Sequence, residues 1–245
     1  MALVLEQKIQ ILSSHTDMFS RLRSSVLARV LQDAAIIHAE DLGVGRNVGL
    51  AKDALWVVTR LAMDIQRLPE WGENIILRTW PGETRHGLFP RYFEMTTESG
   101  EELLKASTIW LLMHATDRRM LDPKAIGMEV SGQNREGQLP IPARRVPFPA
   151  EMSAETVRCV QYSETDVNGH MNNTRYLDWA DDLLPVEFHE THTLKKLWVE
   201  YRSEILCGQE TVLKSDLSEN VLCLTGIAGD KEAFKVRAEY DSLSK

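Results

Sequence analysis

One succession of elements occurs twice in this chain of 245 residues, and that duplication restricts its folds more than any other feature. Ser14-His-Thr-Asp17 returns 149 residues later as Ser163-Glu-Thr-Asp166. Leu61-x-x-Asp64 with Trp71-Gly72 returns 136 residues later as Leu197-x-x-Glu200 with Cys207-Gly208. The excess of 13 residues in the first copy falls in the glycine-rich stretch 43–52, read as a loop with no counterpart of that length.

The hydrophobic pattern has the same grammar in both copies. In the first, residues 7–13 read as a short strand. Residues 24–42 read as an amphipathic helix with Val26, Leu27, Val30, Leu31, Ala34, Ile37 and His38 at helical spacing. Strands follow at 56–66, 74–80, 89–97 and 102–114. In the second, a strand at 156–162 precedes a helix at 174–184 ended by Pro185, then strands at 194–205, 210–216, 221–227 and 233–240. Five of the nine prolines lie between residues 122 and 150, so that stretch reads as a linker. The expected organisation is a first domain at 1–121, the linker at 122–150 and a second domain at 151–245. One long helix followed by a meander of long strands, given twice, predicts an α+β fold. Two curved antiparallel sheets would each wrap around a helix and pair along their edges.

Bulk properties exclude several functions. A formal net charge of -8 argues against nucleic acid as the main partner, since phosphate binding needs concentrated Lys and Arg. No apolar run reaches the length of a membrane span. The opening Met1-Ala-Leu-Val-Leu-Glu6 turns polar too soon for a signal peptide and is not rich in Arg and Ser like a transit sequence. Cys159, Cys207 and Cys223 form no C-x-x-C pair, so a reducing cytoplasm is expected, with neither disulfides nor a zinc site. His189-Glu-Thr-His192 has the wrong spacing for two ligands on one helical face and reads as a solvated loop. Neither a nucleophile elbow nor a dinucleotide-binding glycine motif is present.

The chemistry concentrates in residues 165–173. Asp166, Asn168, His170 and Asn172 alternate with Val167, Gly169 and Met171, so an extended chain would turn the four polar groups to one side. The segment enters the second helix, with Asn172 or Asn173 as its N-cap and free N–H groups available to a developing oxyanion. In the first copy Phe19, Arg21 and Arg23 stand for Asn168, His170 and Asn172, and only Asp17 matches Asp166. Similarly, Glu200, Arg202 and Glu204 would share a strand face, and Glu204 corresponds to Leu68. The polar groups therefore accumulate in one copy.

Thr165-Asp-Val-Asn-Gly-His-Met-Asn-Asn173 followed by Tyr176 resembles the signature of plant and bacterial acyl-ACP thioesterases. Val199-Glu-Tyr-Arg-Ser-Glu-Ile205 resembles their second signature, L-E-Y-R-R-E-C. Thr59-Arg60-Leu61, Arg67-Leu68-Pro69-x-Trp71-Gly72-Glu73 and Ala106-Ser107-Thr108-x-Trp110-Leu111 extend the resemblance through the first half. It implies tandem hotdog domains, the second of them catalytic, acting on fatty acyl thioesters of acyl carrier protein without metal or cofactor. A homodimer is left open. The family's functional residues carry over to Asp166, Asn168, His170 and Glu204. The family's Cys after the Glu is Ile205 here, which excludes a cysteine nucleophile at that position.

The resemblance implies a hypothesis of water activated by Glu204 with His170, oriented by Asn168 on a loop fixed by Asp166. Nucleophilic attack by the carboxylate is the variant left open. Val57, Leu61, Met63, Leu77 and Trp110 are the expected walls of an acyl channel. Arg118-Arg119, Arg144-Arg145 and Lys195-Lys196 are candidate docking pairs for an acidic carrier. An acyl-CoA thioesterase, a hotdog hydratase or dehydratase, and a non-catalytic acyl-binding module are the alternatives.

Overall fold

The computed structural model of the chain describes residues 3–243. Met1 and Ala2, which open the N-terminal stretch read above, and Ser244 and Lys245, which close the expected second domain, lie outside the described residues. The elements run β1 (Leu5–Gln10), α1 (Ser24–Asp41), α2 (Arg46–Leu50), β2 (Ala54–Ile65), β3 (Asn74–Pro81), β4 (Phe89–Thr97), β5 (Glu102–His114) and α3 (Pro123–Ile126). They continue with β6 (Ala154–Cys159), α4 (Arg175–Asp181), α5 (Val186–Thr191), β7 (His192–Tyr201), β8 (Glu210–Ser218), β9 (Val221–Ala228) and β10 (Lys231–Ser242). Among the described residues no helix is long and apolar enough to cross a membrane.

The ten strands of the described residues form one antiparallel sheet in the order β1-β3-β4-β5-β2-β7-β10-β9-β8-β6. The second half repeats the order of the first in reverse, so the two expected sheets are continuous through the β2–β7 seam. Ala62 lies opposite Trp198, Leu61 opposite Val199 and Met63 opposite Leu197. Ala62 and Trp198 are 136 residues apart, the offset of the repeat, so each strand meets its own equivalent at the centre of the seam. The geometry is that of a pseudo-twofold axis. Backbone bonds carry the same symmetry: Leu22 N–H donates to Pro69 O (2.8 Å) as Met171 N–H does to Ile205 O (2.8 Å). Gly72 N–H donates to Ile11 O as Gly208 N–H does to Val160 O, each at 2.8 Å.

The sheet curls because its inner face must cover the helices. Leu27, Leu31 and Ala34 of α1 and Leu177, Trp179 and Ala180 of α4 belong to one apolar cluster with Ile65, Phe93, Val199 and Phe234 of the sheet. One core therefore spans both halves. The helix expected at 174–184 is shorter, because Pro185 serves as the N-cap of a separate helix, α5. His189 and His192, expected in a loop, accordingly lie on α5 and at the start of β7. His192 stacks on Phe188 with centroids 4.1 Å apart. Stretch 43–52, also expected as a loop, contains α2.

Residues 122–150 are not a free tether. They begin with α3 and then lie across the sheet, held by side chains from four strands. Ser107 Oγ donates to Pro140 O (2.6 Å), Arg60 Nη1 to Pro142 O (2.9 Å), Trp198 Nε1 to Ala143 O (2.9 Å) and Arg237 Nη1 to Pro147 O (3.3 Å).

Where α1 meets α4, Ser24 Oγ donates to Asp181 Oδ2 at 2.6 Å. Burial raises the Asp181 carboxyl to about 6, outweighing the opposing Ser24 hydrogen bond. An acid raised above its unfolded pKa binds more protons when folded, so it costs stability as pH rises from the unfolded value through 6. Asp181→Asn should therefore gain stability over the parent on going from pH 4 to pH 7.5. The expected gain is about 1–2 kcal/mol, discounted for partial exposure. Urea denaturation at the two pH values measures it, and a pH-independent difference would remove Asp181 as the cause.

Candidate active site

Residues 166–169 form a tight turn rather than the extended run that the polar alternation predicted. Asp166 N–H donates to His170 O (2.9 Å), and Gly169 N–H donates to Asp166 O (3.0 Å). The Asp166 carboxylate closes the turn by accepting from Asn168 N–H at 2.8 Å. Gly169 has φ +79°, a left-handed conformation that glycine adopts at little cost. The first half contains the same turn. Asp17 Oδ1 accepts from Phe19 N–H at 2.9 Å, and Ser20 takes φ +68°. Asp17 and Asp166 are thus kept for a shared structural reason, closure of the turn.

The turns differ in what they present. In the first half Arg21 replaces His170 and clamps the second half, donating to His192 O (2.9 Å) and His189 O (2.7 Å). In the second half His170 remains beside a carboxylate. Its backbone bridges to Leu206, and its Nε2 lies 3.2 Å from Glu204 Oε2. Glu204 does not share a strand face with Glu200 and Arg202, because β7 ends at Tyr201. Arg202 instead pairs with Glu200 (2.7 Å) and with Glu232. Glu204 emerges from the loop beyond the strand, where the buried Ile205 next to it anchors the backbone.

Arg118 holds the other side of Glu204. Its Nη2 lies 2.9 Å from Oε1 and 3.0 Å from Oε2. Arg118 follows β5 in the first half and has φ +57°. The carboxylate is therefore held between a histidine of its own half and an arginine of the other. Arg118, expected as a candidate docking residue, is thus engaged with Glu204. Arg119 pairs with Asp117 (3.1 Å), and Lys195 donates to Gln66 O (3.2 Å). Arg144, Arg145 and Lys196 are exposed. Beneath the pair, Tyr176 packs on Phe234 with centroids 4.3 Å apart. Burial, with the Asp166 and Glu204 carboxylates adding to it, raises the Tyr176 phenol well above its ordinary value.

A cavity of about 370 Å³ opens beside the turn. Ala35, Ile36 and Ala39 of α1, Trp56 of β2, Phe89 of β4 and Trp110 of β5 form its apolar wall, and Asp166, Val167, Asn168, Asn172 and Asn173 border it from the second half. Asn168 is exposed at this border. Of the five residues expected to line an acyl channel, Trp110 does so, whereas Leu61, Met63 and Leu77 are buried in the core and Val57 is not in the lining. The missing wall comes from the first half's insertion: Val44, Gly45 and Arg46 line the cavity, and Trp56 Nε1 donates to Val44 O at 2.7 Å. The unequal repeat offsets were the sequence signal for this element.

The start of α4 differs from the expected oxyanion cradle. Thr174 holds the N-cap position, and Asn172 acts earlier, its Oδ1 accepting from Thr174 N–H (3.0 Å) and Oγ1 (2.8 Å). Asn172 N–H and Arg175 N–H are also used internally, donating to Glu164 O and Asn172 O. An oxyanion would need donors other than these three N–H groups.

Family models for the acyl-ACP thioesterase N-terminal and C-terminal domains match residues 2–125 and 149–241. A chloroplastic palmitoyl-acyl carrier protein thioesterase of Gossypium hirsutum is 31% identical over 201 residues, covering 76% of this chain and 48% of that protein. A chloroplastic dodecanoyl-[acyl-carrier-protein] hydrolase of Umbellularia californica is 25% identical over 244 residues, covering 89% and 63%. The chain spans about half the length of the first of these curated relatives. Among solved structures, an acyl-ACP thioesterase from Bacteroides thetaiotaomicron superposes with a TM-score of 0.86 at 23% identity, covering 97% of this chain and 98% of the other. The 12:0-ACP thioesterase from Umbellularia californica gives 0.85 at 20% identity, with 99% of both chains covered. These structural likenesses establish the tandem hotdog fold.

Proposed function

The chain belongs to the acyl-ACP thioesterase family, and from that premise we propose that it hydrolyses fatty acyl-ACP to free fatty acid and carrier protein. The observation that carries the reading is the His170–Glu204 pair at 3.2 Å, with His170 closing a turn whose Asp166, Val167 and Asn168 border an apolar cavity. In this reading residues 151–245 supply the catalytic groups, residues 1–121 supply most of the acyl cavity, and residues 122–150 join them.

The thioester carbonyl sits at the cavity mouth with the acyl chain directed inward. Glu204, held by His170 and Arg118, removes a proton from water as its oxygen attacks the carbonyl carbon. Asn168, at the mouth, orients the water or the thioester, and Asp166 fixes the turn that carries it. The tetrahedral intermediate then breaks its C–S bond, and the proton held at the Glu204–His170 pair passes to the departing thiolate. Atoms balance with water as the only co-reactant. Ile205 is buried where the resembling signature has cysteine, so no thiol takes part at that position.

The carrier would approach the mouth past exposed basic residues, for which Arg144, Arg145 and Lys196 are the candidates among the pairs considered. In a homodimer formed by strand addition, the outer strands β1 and β6 would be the ones to pair, since β2 and β7 are already joined. The three free cysteines suit a reducing compartment, the cytoplasm in this reading.

The test is a panel of acyl-ACPs and acyl-CoAs of matched chain length, assayed for free fatty acid. Release from acyl-ACP at the higher kcat/KM is expected. Preference for acyl-CoA would replace the carrier assignment, and no release from either would end the thioesterase reading. Ala39→Phe, which narrows the cavity, should shift the preferred chain length downward. Each lost CH₂ contact is worth about 0.8 kcal/mol, so two carbons amount to roughly a 15-fold change in relative kcat/KM. An unchanged length profile would mean that the acyl chain lies elsewhere.

A further inference from the structure

Arg91 of β4 is 7% exposed and lines the same cavity. Its Nη1 lies 3.0 Å from His38 Nδ1 and donates to Thr79 Oγ1 at 3.2 Å. Among the described residues no carboxylate lies within ion-pair distance of it. Burial lowers its pKa to about 10, which leaves the guanidinium charged at neutral pH. Buried cations without a counter-charge are costly, and proteins ordinarily pair them. A cavity serving only an unsubstituted hydrocarbon chain has no use for such a group. Thr84 supplies a second, independent sign: its Oγ1 is buried without a hydrogen-bond partner, and the residue lines the same cavity. A guanidinium without a counter-ion and an unspent hydroxyl therefore border one otherwise apolar space.

We propose that the cavity selects acyl chains bearing a carboxylate remote from the thioester, with Arg91 as counter-ion and Thr84 as an additional hydrogen-bond donor. The inference rests on the thioesterase reading for its substrate class, but the binding of such a chain can be measured without turnover. Both residues would act as specificity determinants and take no part in bond cleavage. A hydrogen bond to a charged group is worth about 1.5–3 kcal/mol, which corresponds to roughly 10–150-fold discrimination.

The experiment uses N-acetylcysteamine thioesters of octanoic acid and of octanedioic acid, the latter carrying one free terminal carboxylate. These esters contain no phosphate, so an anion of the carrier's prosthetic group cannot account for the result. Calorimetric binding to the full chain of octanamide and of the monoamide of octanedioic acid, which differ only by the terminal carboxylate, gives a readout independent of hydrolysis. The parent should favour the carboxylated ester at least tenfold in kcat/KM and bind the octanedioic monoamide more tightly than octanamide. Arg91→Leu should abolish both preferences while the octanoyl ester is still hydrolysed. Arg91→Lys, which keeps the charge, and Thr84→Val, which leaves the guanidinium in place, should each retain part of the preference and serve if Arg91→Leu fails to fold. Equal handling of the two chains by the parent, or a preference untouched by these substitutions, overturns the inference. If neither ester is hydrolysed, the thioesterase reading fails for such esters, and the binding comparison still decides the role of Arg91.

Discussion

Glu204→Gln should lower kcat on acyl-ACP at least a hundredfold while leaving the fold intact. Glutamine keeps the length of the side chain and an oxygen able to accept from Arg118, but it cannot take a proton from water. A positioned general base contributes about 10²–10⁴-fold, and this substitution removes it without removing bulk. Global stability should change little, because Glu204 lies on a partly exposed loop beyond β7 rather than in the core. His170→Ala should cost a similar factor by a different route. Glu204 would then be held by Arg118 alone, 2.9 Å away, and would lose the partner that fixes its orientation. Because the two residues act as one unit, the double variant should be little slower than either single one. Rates within tenfold of the parent for both single variants would dismiss the assignment. An acyl adduct found on Glu204 by mass spectrometry after rapid quenching would instead identify the carboxylate as a nucleophile.

The sequence displayed the architecture well because strand alternation and the repeat are both local records. The match of Asp17 with Asp166 is the record of a duplicated turn, whereas polar alternation alone groups Asp166 with Asn168, His170 and Asn172. A period of two cannot separate a strand from a turn when polar residues flank a glycine. Asp two residues before Asn168, with Gly169 following, was the available turn signal. The position of Glu204 also had a marker, since its neighbour Ile205 corresponds to Pro69 in the first half, and proline in a repeat equivalent argues against strand continuation. The pairing of Arg118 with Glu204 had no such marker. It depends on the β2–β7 seam bringing two distant loops together, and a dipeptide of arginines carries no record of that. The cavity was hidden for the same reason, being assembled from α1, four strands, an insertion and a turn of the opposite half.

Beneath the site, Gly226→Ala should lower stability by about 3 kcal/mol, and Phe234→Leu in the same chain should restore much of that loss. A Cβ at residue 226 would lie 2.0 Å from the Phe234 ring. The ring has little room to move aside: it is fully buried, with Tyr176 at 4.3 Å and Trp179 at 6.5 Å between centroids. The first half solves the same packing problem with the volume shared. Tyr201 pairs with Phe234 and Phe234 with Gly226, as Ile65 pairs with Leu104 and Leu104 with Met95. The first half therefore shares the volume between Leu104 and Met95, whereas the second concentrates it in the Phe234 ring opposite a glycine. Phe234→Ala removes the ring without compensation and should cost about 3–5 kcal/mol. Urea denaturation of Gly226→Ala, Phe234→Leu and the Gly226→Ala/Phe234→Leu pair measures the coupling, and strict additivity would refute a shared volume at the two positions. Activity supplies a second readout, because Tyr176 rests on Phe234 and lies close enough to Asp166 and Glu204 to feel both charges. Loss of the ring should reduce kcat by more than the unfolded fraction explains, since the floor under the proposed base, Glu204, would no longer be fixed.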